Sequence, residues 1–233
     1  MSLIDPSILT DPEAFFITPP EKGFEKKYIQ CRTLEKRMYT DDEVKKLPGC
    51  LITHPHYLEW RIRERSFKKL YRYLSDKKNP LNILEIGCGN GWLLRKLSDI
   101  SQSRLTGIDV NLTELQQASR IFADRPEIKF IYGDIRSEIL GEKKFDIILF
   151  AASIQYFESL DEIVEHALQH LQPGGEIHII DTKFYEPEDV SGAKQRSKDH
   201  FEVLGVPELA AHYFHHTVAE LASFKHTVMY DPR

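Results

Sequence analysis

The sequence predicts an α/β fold built on a doubly wound, mostly parallel sheet, and three observations lead to that prediction. Short apolar strands alternate with amphipathic segments from residue 81 onward, as in sheets whose strands are joined by helices. The segment 145–150 is almost wholly apolar, which is typical of a strand covered by helices on both faces. A glycine-rich turn follows the first strand, at the edge where open α/β sheets bind ligands.

Length and composition suit one globular domain with an appendage. The 233 residues are 41% hydrophobic and 29% charged, which is ample for a buried core. No apolar run approaches the roughly 18 residues of a membrane helix, and residues 1–20 lack a signal-peptide pattern. Three cysteines without a repeated spacing argue against a disulfide scaffold. We therefore expect a cytoplasmic protein with no membrane partner.

Charge divides the chain near Pro80. Residues 1–80 hold 16 Lys/Arg and 12 Asp/Glu, net +4, whereas residues 81–233 hold 15 and 24, net −9. The overall charge of −5 argues against a general nucleic-acid binder. The break predicts an N-terminal extension with a helical lid over 1–80 and a separate domain over 81–233.

In the N-terminal part, four prolines before residue 21 exclude a long helix, and we expect the first forty residues to be irregular. Thr40 and Glu43 form a capping box that begins a short helix. The segment 53–75 is predicted to be a longer helix, and its apolar stripe comprises Leu58, Ile62, Phe67, Leu70 and Leu74. Its other faces are basic, which is typical of a solvated face or of a wall that meets an anionic ligand.

The strands and helices of the main domain are predicted from changes in the spacing of apolar residues along the chain. Strands are predicted at 81–86, 104–110, 128–132, 145–150 and 176–181, with helices at 91–99, 112–123 and 160–171. Asn111 and Ser159 are placed to cap the second and third helices. The turn signal over residues 171–175 predicts a helix stop before the fifth strand.

The C-terminal part predicts a cap and one more strand. A helix is expected at 186–204, ending at Gly205, and a further helix begins at Pro207. Residues 182–216 are long for a simple connection, so we expect them to form a helical cap after the fifth strand. A capping box starts at Thr217, and residues 225–230 are predicted to be a sixth strand.

The glycine-rich turn carries the strongest functional signal. Gly87, Gly89 and Gly91 follow a buried strand and precede a helix, so a ligand can lie against bare backbone there. The helix start beyond them offers free N–H groups to an anion. A dinucleotide fingerprint needs glycine or alanine at position 92, where this chain has Trp92. This disfavours NAD and FAD.

Over residues 81–181 these motifs together resemble the class I S-adenosylmethionine-dependent methyltransferases. In that family the first motif, here Glu85 to Gly91, wraps the methionine part of the cofactor. By the same resemblance, Asp109 at the end of the second strand holds the ribose hydroxyls, and Asp134 with Ile135 receives the adenine. The segments 145–148 and 171–175 resemble the fourth strand and the turn before the fifth. The resemblance implies a Rossmann-like methyltransferase fold and S-adenosyl-L-methionine as cofactor.

The cofactor contacts that this resemblance implies are Glu85, Gly87, Cys88, Gly89, Gly91, Asp109, Val110, Asp134, Ile135 and Phe150. Asp109 would stand at a strand end near the switch point of the sheet, where a carboxylate can accept from two vicinal hydroxyls. The alternative roles are a helix cap for Asp109, a turn aspartate for Asp134 and a loop filler for Cys88. Glu85 could orient the loop N–H groups or meet the cofactor amine.

Methyl transfer from a sulfonium is an in-line displacement, so a protein must mainly align the reactants and exclude water. A hydroxyl acceptor also needs a general base. Relatives place the acceptor beside the segment after the fourth strand, here 151–157, where Tyr156 or Phe157 faces the sulfonium by cation–π attraction or simply packs. The catalytic residue stays open among four candidates, Tyr156, His54, His56 and His215.

The basic helix at 53–75 leads to a lid hypothesis. It closes over the cofactor, and Arg61, Arg63 or Arg65 reaches the cofactor carboxylate or an anionic substrate. The spacing of Cys31, Cys50, His54 and His56 matches no common zinc module, so we expect no metal site.

The predicted activity is transfer of a methyl group to an oxygen or nitrogen of a small-molecule acceptor. One alternative is an RNA or protein methyltransferase that docks through the basic N-terminal segment, and another is a non-catalytic S-adenosylmethionine-binding module. The family sheet normally closes with antiparallel sixth and seventh strands, whereas this sequence stops at Arg233. Either the sequence was cut or the edge is built differently, for example by a homodimer.

Overall fold

The computed structural model describes residues 24–77 and 80–229, and its centre is a five-stranded parallel sheet. The strands are β1 (Asn82–Ile86), β2 (Arg104–Asp109), β3 (Ile128–Tyr132), β4 (Phe145–Ala151) and β5 (Leu171–Ile180). The α-helices are α1 (Phe24–Leu34), α2 (Asp41–Lys46), α3 (Tyr57–Ser75), α4 (Trp92–Leu97), α5 (Leu112–Ile121), α6 (Leu160–Gln169) and α7 (Val190–Val203). Short 3-10 turns lie at Glu138–Leu140, Ile154–Tyr156, Pro187–Asp189, Pro207–His212 and Glu220–Ser223.

The strand order is β3-β2-β1-β4-β5 with every pair parallel, which confirms the predicted doubly wound sheet. The order reverses between β1 and β4, so their carboxyl ends flank the switch point where such sheets bind ligands. Side chains of a strand alternate between the two faces. In β1, Ile83 therefore joins one apolar core and Leu84 joins the other, and both are fully buried.

Helix α3 packs on the sheet with only the second half of its predicted apolar stripe, Phe67, Leu70 and Leu74. Trp60, Leu70 and Leu74 are buried, whereas Leu58 and Ile62 are 76% and 56% exposed. The predicted stripe is thus wrong in its first half. The ring of Trp60 packs edge-on against Trp92 with centroids 5.5 Å apart, and this contact sets the rotation of the helix so that Leu58, two residues earlier, points away.

The N-terminal part contains more helix than expected. Residues 24–34 form α1, which corrects the prediction of an irregular segment at that place, because the four prolines all precede it. The rest of that prediction, over residues 1–23, lies outside the described residues. Helix α2 begins with the predicted capping box of Thr40 and Glu43. Because α3 shares one apolar core with β1, the division of the chain at residue 80 stays a prediction.

Strand β5 begins five residues earlier than predicted. It runs through the expected turn, with a register shift against β4 between Phe145 and Ile147 and with Gly174 at a φ of +80°. Within the described residues, β5 pairs with β4 alone. Lys225 to Met229 form no strand, so the predicted sixth strand is wrong there, and Tyr230 lies outside the described residues. None of the helices in the described ranges is long and apolar enough to cross a membrane.

Candidate functional site

The glycine-rich loop after β1 is held so closely that two of its glycines have no room for a side chain. A Cβ on Gly87 would lie 2.5 Å from the Cβ of Ser153, and a Cβ on Gly91 would lie 2.6 Å from the ring of Phe130. Both glycines have a φ of +73°, in the left-handed region that glycine adopts without steric cost. The loop therefore places bare backbone at the carboxyl end of the sheet.

Asp109, at the end of β2, lies directly beneath this loop. Its Oδ2 accepts a hydrogen bond from the Gly89 N–H at 2.7 Å, and its Oδ1 accepts from the Asn111 N–H at 2.8 Å. A carboxylate has about four acceptor positions, so acceptor capacity remains on the cleft side. Asn111 caps α5 as predicted, by accepting from the Glu114 N–H at 3.1 Å.

Glu85 and Glu114 bring two more carboxyl groups to the same place. Glu85 is 2% exposed, and its Oε2 is buried with no hydrogen-bond partner among the residues described. Burial, together with the charge of Asp109, raises the pKa of Glu85 well above its usual range. Burial also raises the pKa of Glu114 to about 7. The buried Glu85 carboxyl, beside the charge of Asp109, lacks a cation or a hydrogen-bond donor. The amine of the cofactor implied by the resemblance could supply both.

The predicted adenine end has a partner that the sequence did not indicate. Both oxygens of Asp134 accept from Arg136, with Nε to Oδ1 at 3.0 Å and an amino nitrogen to Oδ2 at 2.6 Å. Ile135 is 2% exposed. The guanidinium of Arg136 also lies 5.9 Å from the ring centroid of Phe157. The carboxylate of Asp134 is therefore fixed in position by an ion pair.

Helix α1 covers the carboxyl edge of the sheet as a lid. The side chains that it contributes to the large cleft beside the glycine loop are Glu25, Tyr28, Cys31 and Arg32, and Glu35, just after the helix, also lines the cleft. Glu25 accepts from the Thr113 N–H at 3.2 Å, which ties one end of α1 to α5. At the other side Lys27 pairs with Glu208 at 2.7 Å, in the segment predicted to be a cap. The lid helix thus spans the sheet and the cap.

Helix α3 also contributes to the cleft, although not with every arginine of the lid hypothesis. Arg63 and Arg65 line the cleft, and Arg61 does not. Arg63 pairs with Glu59 at 2.9 Å, and Glu59 also accepts from Arg37 at 2.6 Å. Although burial acts to raise it, the hydrogen bonds and charges of the two arginines lower the pKa of Glu59 to about 2. Of the three arginines in the lid hypothesis, Arg63 is therefore the one that lines the cleft and is held in position by an ion pair.

The segment after β4 forms the opposite wall. Tyr156 packs edge-on against Tyr28, with centroids 5.9 Å apart, and against Tyr213, with centroids 5.7 Å apart. Burial raises the pKa of Tyr156 and, with the charge of Tyr156, raises the pKa of Tyr213 to about 12. These two hydroxyls therefore stay protonated at neutral pH and act as hydrogen-bond donors rather than as bases.

Of the four predicted catalytic candidates, only Tyr156 lines the cleft. His54 packs against Tyr39, His56 contacts the Glu35 carbonyl at 2.7 Å, and the ring of His215 contacts the Ser197 hydroxyl at 2.9 Å. The three histidines lie behind the residues that form the walls.

Two of the predicted cofactor contacts are also placed elsewhere. Phe150 is 0% exposed and belongs to the apolar core, because its strand position points away from the cleft, and Gly91 faces Phe130 instead. The other predicted contacts, from Glu85 to Ile135, line the cleft.

Asp181, just after β5, is a functional candidate that sequence reasoning missed. It lines the cleft, and both of its carboxylate oxygens are buried without a hydrogen-bond partner among the described residues. The nearby Ser66 hydroxyl is directed to the Ile62 carbonyl at 3.3 Å. Burial raises the pKa of Asp181. The only local signal was its position at the end of an apolar strand.

The cleft is continuous over a wide part of the described chain. Its volume is ≈ 2540 Å³, and its lining runs from the glycine loop to Gly175 and Val228. It therefore includes the site at the glycine loop together with space beyond it.

Comparisons with known proteins agree with this geometry. Residues 83–175 match the family described as a methyltransferase domain. A malonyl-[acyl-carrier protein] O-methyltransferase of Halalkalibacterium halodurans is 28% identical over 123 residues, which are 49% of this chain and 45% of the relative. A ubiquinone biosynthesis O-methyltransferase of Rickettsia typhi is 31% identical over 106 residues, 45% of this chain and 42% of the relative. The match to these curated relatives spans less than half of their length.

Solved structures share the fold. The YcgJ protein of Bacillus subtilis superposes with a TM-score of 0.56 at 20% identity, over 69% of this chain and 65% of that one. The plantazolicin methyltransferase BpumL, solved with a desmethyl substrate analogue and SAH, has a TM-score of 0.52 at 23% identity, over 87% and 74% of the two chains. The five-stranded parallel sheet of this chain thus has the Rossmann-like arrangement that was predicted.

Proposed function

We propose that this chain, whose residues 83–175 match the family described as a methyltransferase domain, transfers the methyl group of S-adenosylmethionine to an oxygen or nitrogen of a small molecule. One observation carries the proposal: Glu85 and Asp109, on neighbouring strands, bring carboxyl groups to the glycine loop, in which Gly87 and Gly91 leave no room for a side chain. The two relatives named as O-methyltransferases support oxygen as the acceptor atom.

The residues present fit this cofactor. The orphaned Glu85 carboxyl would bind the amine and the Asp109 carboxylate would bind the ribose hydroxyls. Cys88 and Val110, which line the same cleft, would contact the body of the cofactor. Asp134 and Ile135 would hold the adenine. When bound, the cofactor supplies a sulfonium methyl group, which is electrophilic.

Residues of this chain would exclude water and accept a proton from the acceptor. Helix α1 and the rings of Tyr28 and Tyr156 exclude water from the reaction space, which strengthens every charge interaction inside it. A hydroxyl acceptor must lose a proton as its oxygen attacks the methyl carbon and the sulfur takes up the bonding electron pair. We propose Asp181 as the base for that proton, since it is a cleft carboxyl without a partner, and not His54, His56 or His215, which lie behind the walls.

A cytoplasmic location and a homodimer are also proposals. The three cysteines are unpaired, which supports a reducing compartment such as the cytoplasm. A homodimer through the edge of β5 stays a prediction.

Calorimetric titration with S-adenosylhomocysteine tests the cofactor claim. We expect the parent chain to bind it, and Asp109→Asn to bind about tenfold or more weakly, because a hydrogen bond to a charged group contributes about 1.5–3 kcal/mol. Asp99→Asn is the matched control, since Asp99 lies on the surface with a side chain 51% exposed. A parent chain that does not bind the cofactor, or an Asp109→Asn variant that binds as well as Asp99→Asn, would refute the proposal.

A further inference from the structure

Arg32 is a buried cation in the cleft with an unused donor. Its side chain is 20% exposed, and its Nε is buried with no hydrogen-bond partner among the described residues. The carboxylate nearest to it in the described structure is that of Glu35, and the 3.7 Å between the two groups is too long for a hydrogen bond. A desolvated guanidinium costs free energy unless it is paired, so this group is arranged for a partner that comes from outside the chain.

Arg32 lies between the aromatic wall after β4 and Glu114, which borders the glycine loop. Its guanidinium carbon lies 5.6 Å from the ring centroid of Tyr28, and that ring packs against Tyr156, in the 3-10 turn after β4. The ionisable groups that act on it are Tyr28, Tyr156, Glu114 and Glu35. The cation that acts on Glu85, at the methionine end of the predicted cofactor site, is instead Arg63.

The space beside Arg32 also has a defined shape. Tyr28, Tyr156 and Tyr213 stand edge to face in a row, and each lines the cleft. Such rings bury a flat or apolar body, and their hydroxyls bind polar groups at its rim. This chamber, formed by Arg32 and the three tyrosines, thus offers one cationic end and an aromatic wall.

We propose that Arg32 binds a carboxylate of the methyl acceptor, so that the acceptor is a carboxylic acid whose body packs against Tyr28, Tyr156 and Tyr213. A guanidinium presents parallel N–H groups that match the two oxygens of a carboxylate, and the unused Nε is one of them. The inference rests on the proposed function, because it assigns the acceptor of that same site.

Matched pairs of ligands test whether Arg32 binds a carboxylate of the acceptor. Acetate, malonate, benzoate and phenylacetate are each compared with the corresponding amide, by calorimetric titration of the chain saturated with S-adenosylhomocysteine. We expect at least one acid to bind about tenfold or more tightly than its amide, as the loss of a charge-assisted hydrogen bond implies. Arg32→Gln should abolish that preference and leave the affinity for the amide unchanged. Arg61→Gln is the control, because Arg61 lies outside the cleft and pairs with Glu64.

The outcomes separate this inference from the proposed function. If the parent binds S-adenosylhomocysteine but prefers none of the four acids, the carboxylate inference is wrong and the methyltransferase proposal stands. If the parent does not bind the cofactor at all, both are wrong. A loss of cofactor affinity in Arg32→Gln with the acid preference intact would assign Arg32 to the cofactor carboxylate and overturn the inference. Circular dichroism of each variant confirms that α1 and the sheet are formed.

Discussion

Replacing Glu85 with glutamine should stabilise the ligand-free chain and weaken cofactor binding, two effects of opposite sign from one atom. Glu85 is 2% exposed, and its Oε2 has no partner in the described structure. Burial raises its pKa well above the ordinary 4.5, so the folded chain favours the protonated carboxyl. Glutamine has nearly the same shape and needs no proton.

The size of the stability gain has a ceiling. Holding a proton costs about 1.4 kcal/mol for each pH unit above the ordinary pKa of 4.5. The gain at pH 7 is therefore at most about 3.5 kcal/mol, however high the pKa of the buried group. Because the folded pKa is raised, the parent loses stability as pH rises above 4.5. The gain of Glu85→Gln should therefore vanish near pH 4.5 and grow toward neutral pH.

Binding should change in the other direction. If the Glu85 carboxylate meets the cofactor amine, its loss should weaken affinity for S-adenosylhomocysteine about 10- to 100-fold. Urea unfolding at several pH values and calorimetric titration measure the two effects, with Glu142→Gln, on an exposed loop, as control. A variant less stable than the parent at pH 7, or one with unchanged cofactor affinity, would refute the reasoning.

Two further predictions concern the framework of the site, and both are measured by urea unfolding. Gly91→Ala combines a φ of +73° with a contact of 2.6 Å to Phe130 and should lower the free energy of unfolding by about 2–5 kcal/mol. Gly205→Ala has a similar φ of +71° but open space around it, so it should lower the free energy of unfolding by about 1–2 kcal/mol. Equal losses would mean that the loop yields to the added methyl group. Leu74→Ala, at a fully buried position, should cost about 2–5 kcal/mol, and Leu58→Ala, at an exposed one, about 0.5 kcal/mol or less. A loss at Leu58 as large as that at Leu74 would show that Leu58 packs in the core, as the predicted stripe required.

The sheet and the cofactor end of the site follow from short-range signals, which is why the sequence predicts them. The glycines of the loop and Asp109 stand at strand ends that the local pattern marks, and the caps at Asn111 and Ser159 act on residues only three positions away. Such interactions form wherever the local pattern occurs, so their chemistry can be deduced before any packing is known.

The acceptor side depends on contacts between distant segments, and it could not be deduced in the same way. Arg32 and Tyr156 meet only because α1 folds back over the end of β4, and nothing adjacent to either residue indicates it. The rotation of α3 is likewise decided by Trp92, so Leu58 and Ile62 fit a helical stripe in the sequence and yet lie outside. Asp181 is exceptional because its buried carboxylate oxygens have no hydrogen-bond partner in the part of the chain that the structure describes, and a sequence cannot display that.

The edge-on contact of Trp60 with Trp92 has a spectroscopic consequence. The chain contains two tryptophans, and these are the two, with Trp92 immediately after the glycine loop and Trp60 on α3. Tryptophan emission therefore reports on a single junction, between α3 and the loop. The protein carries a built-in optical probe of that junction, and a titration followed by fluorescence needs no dye and no added label.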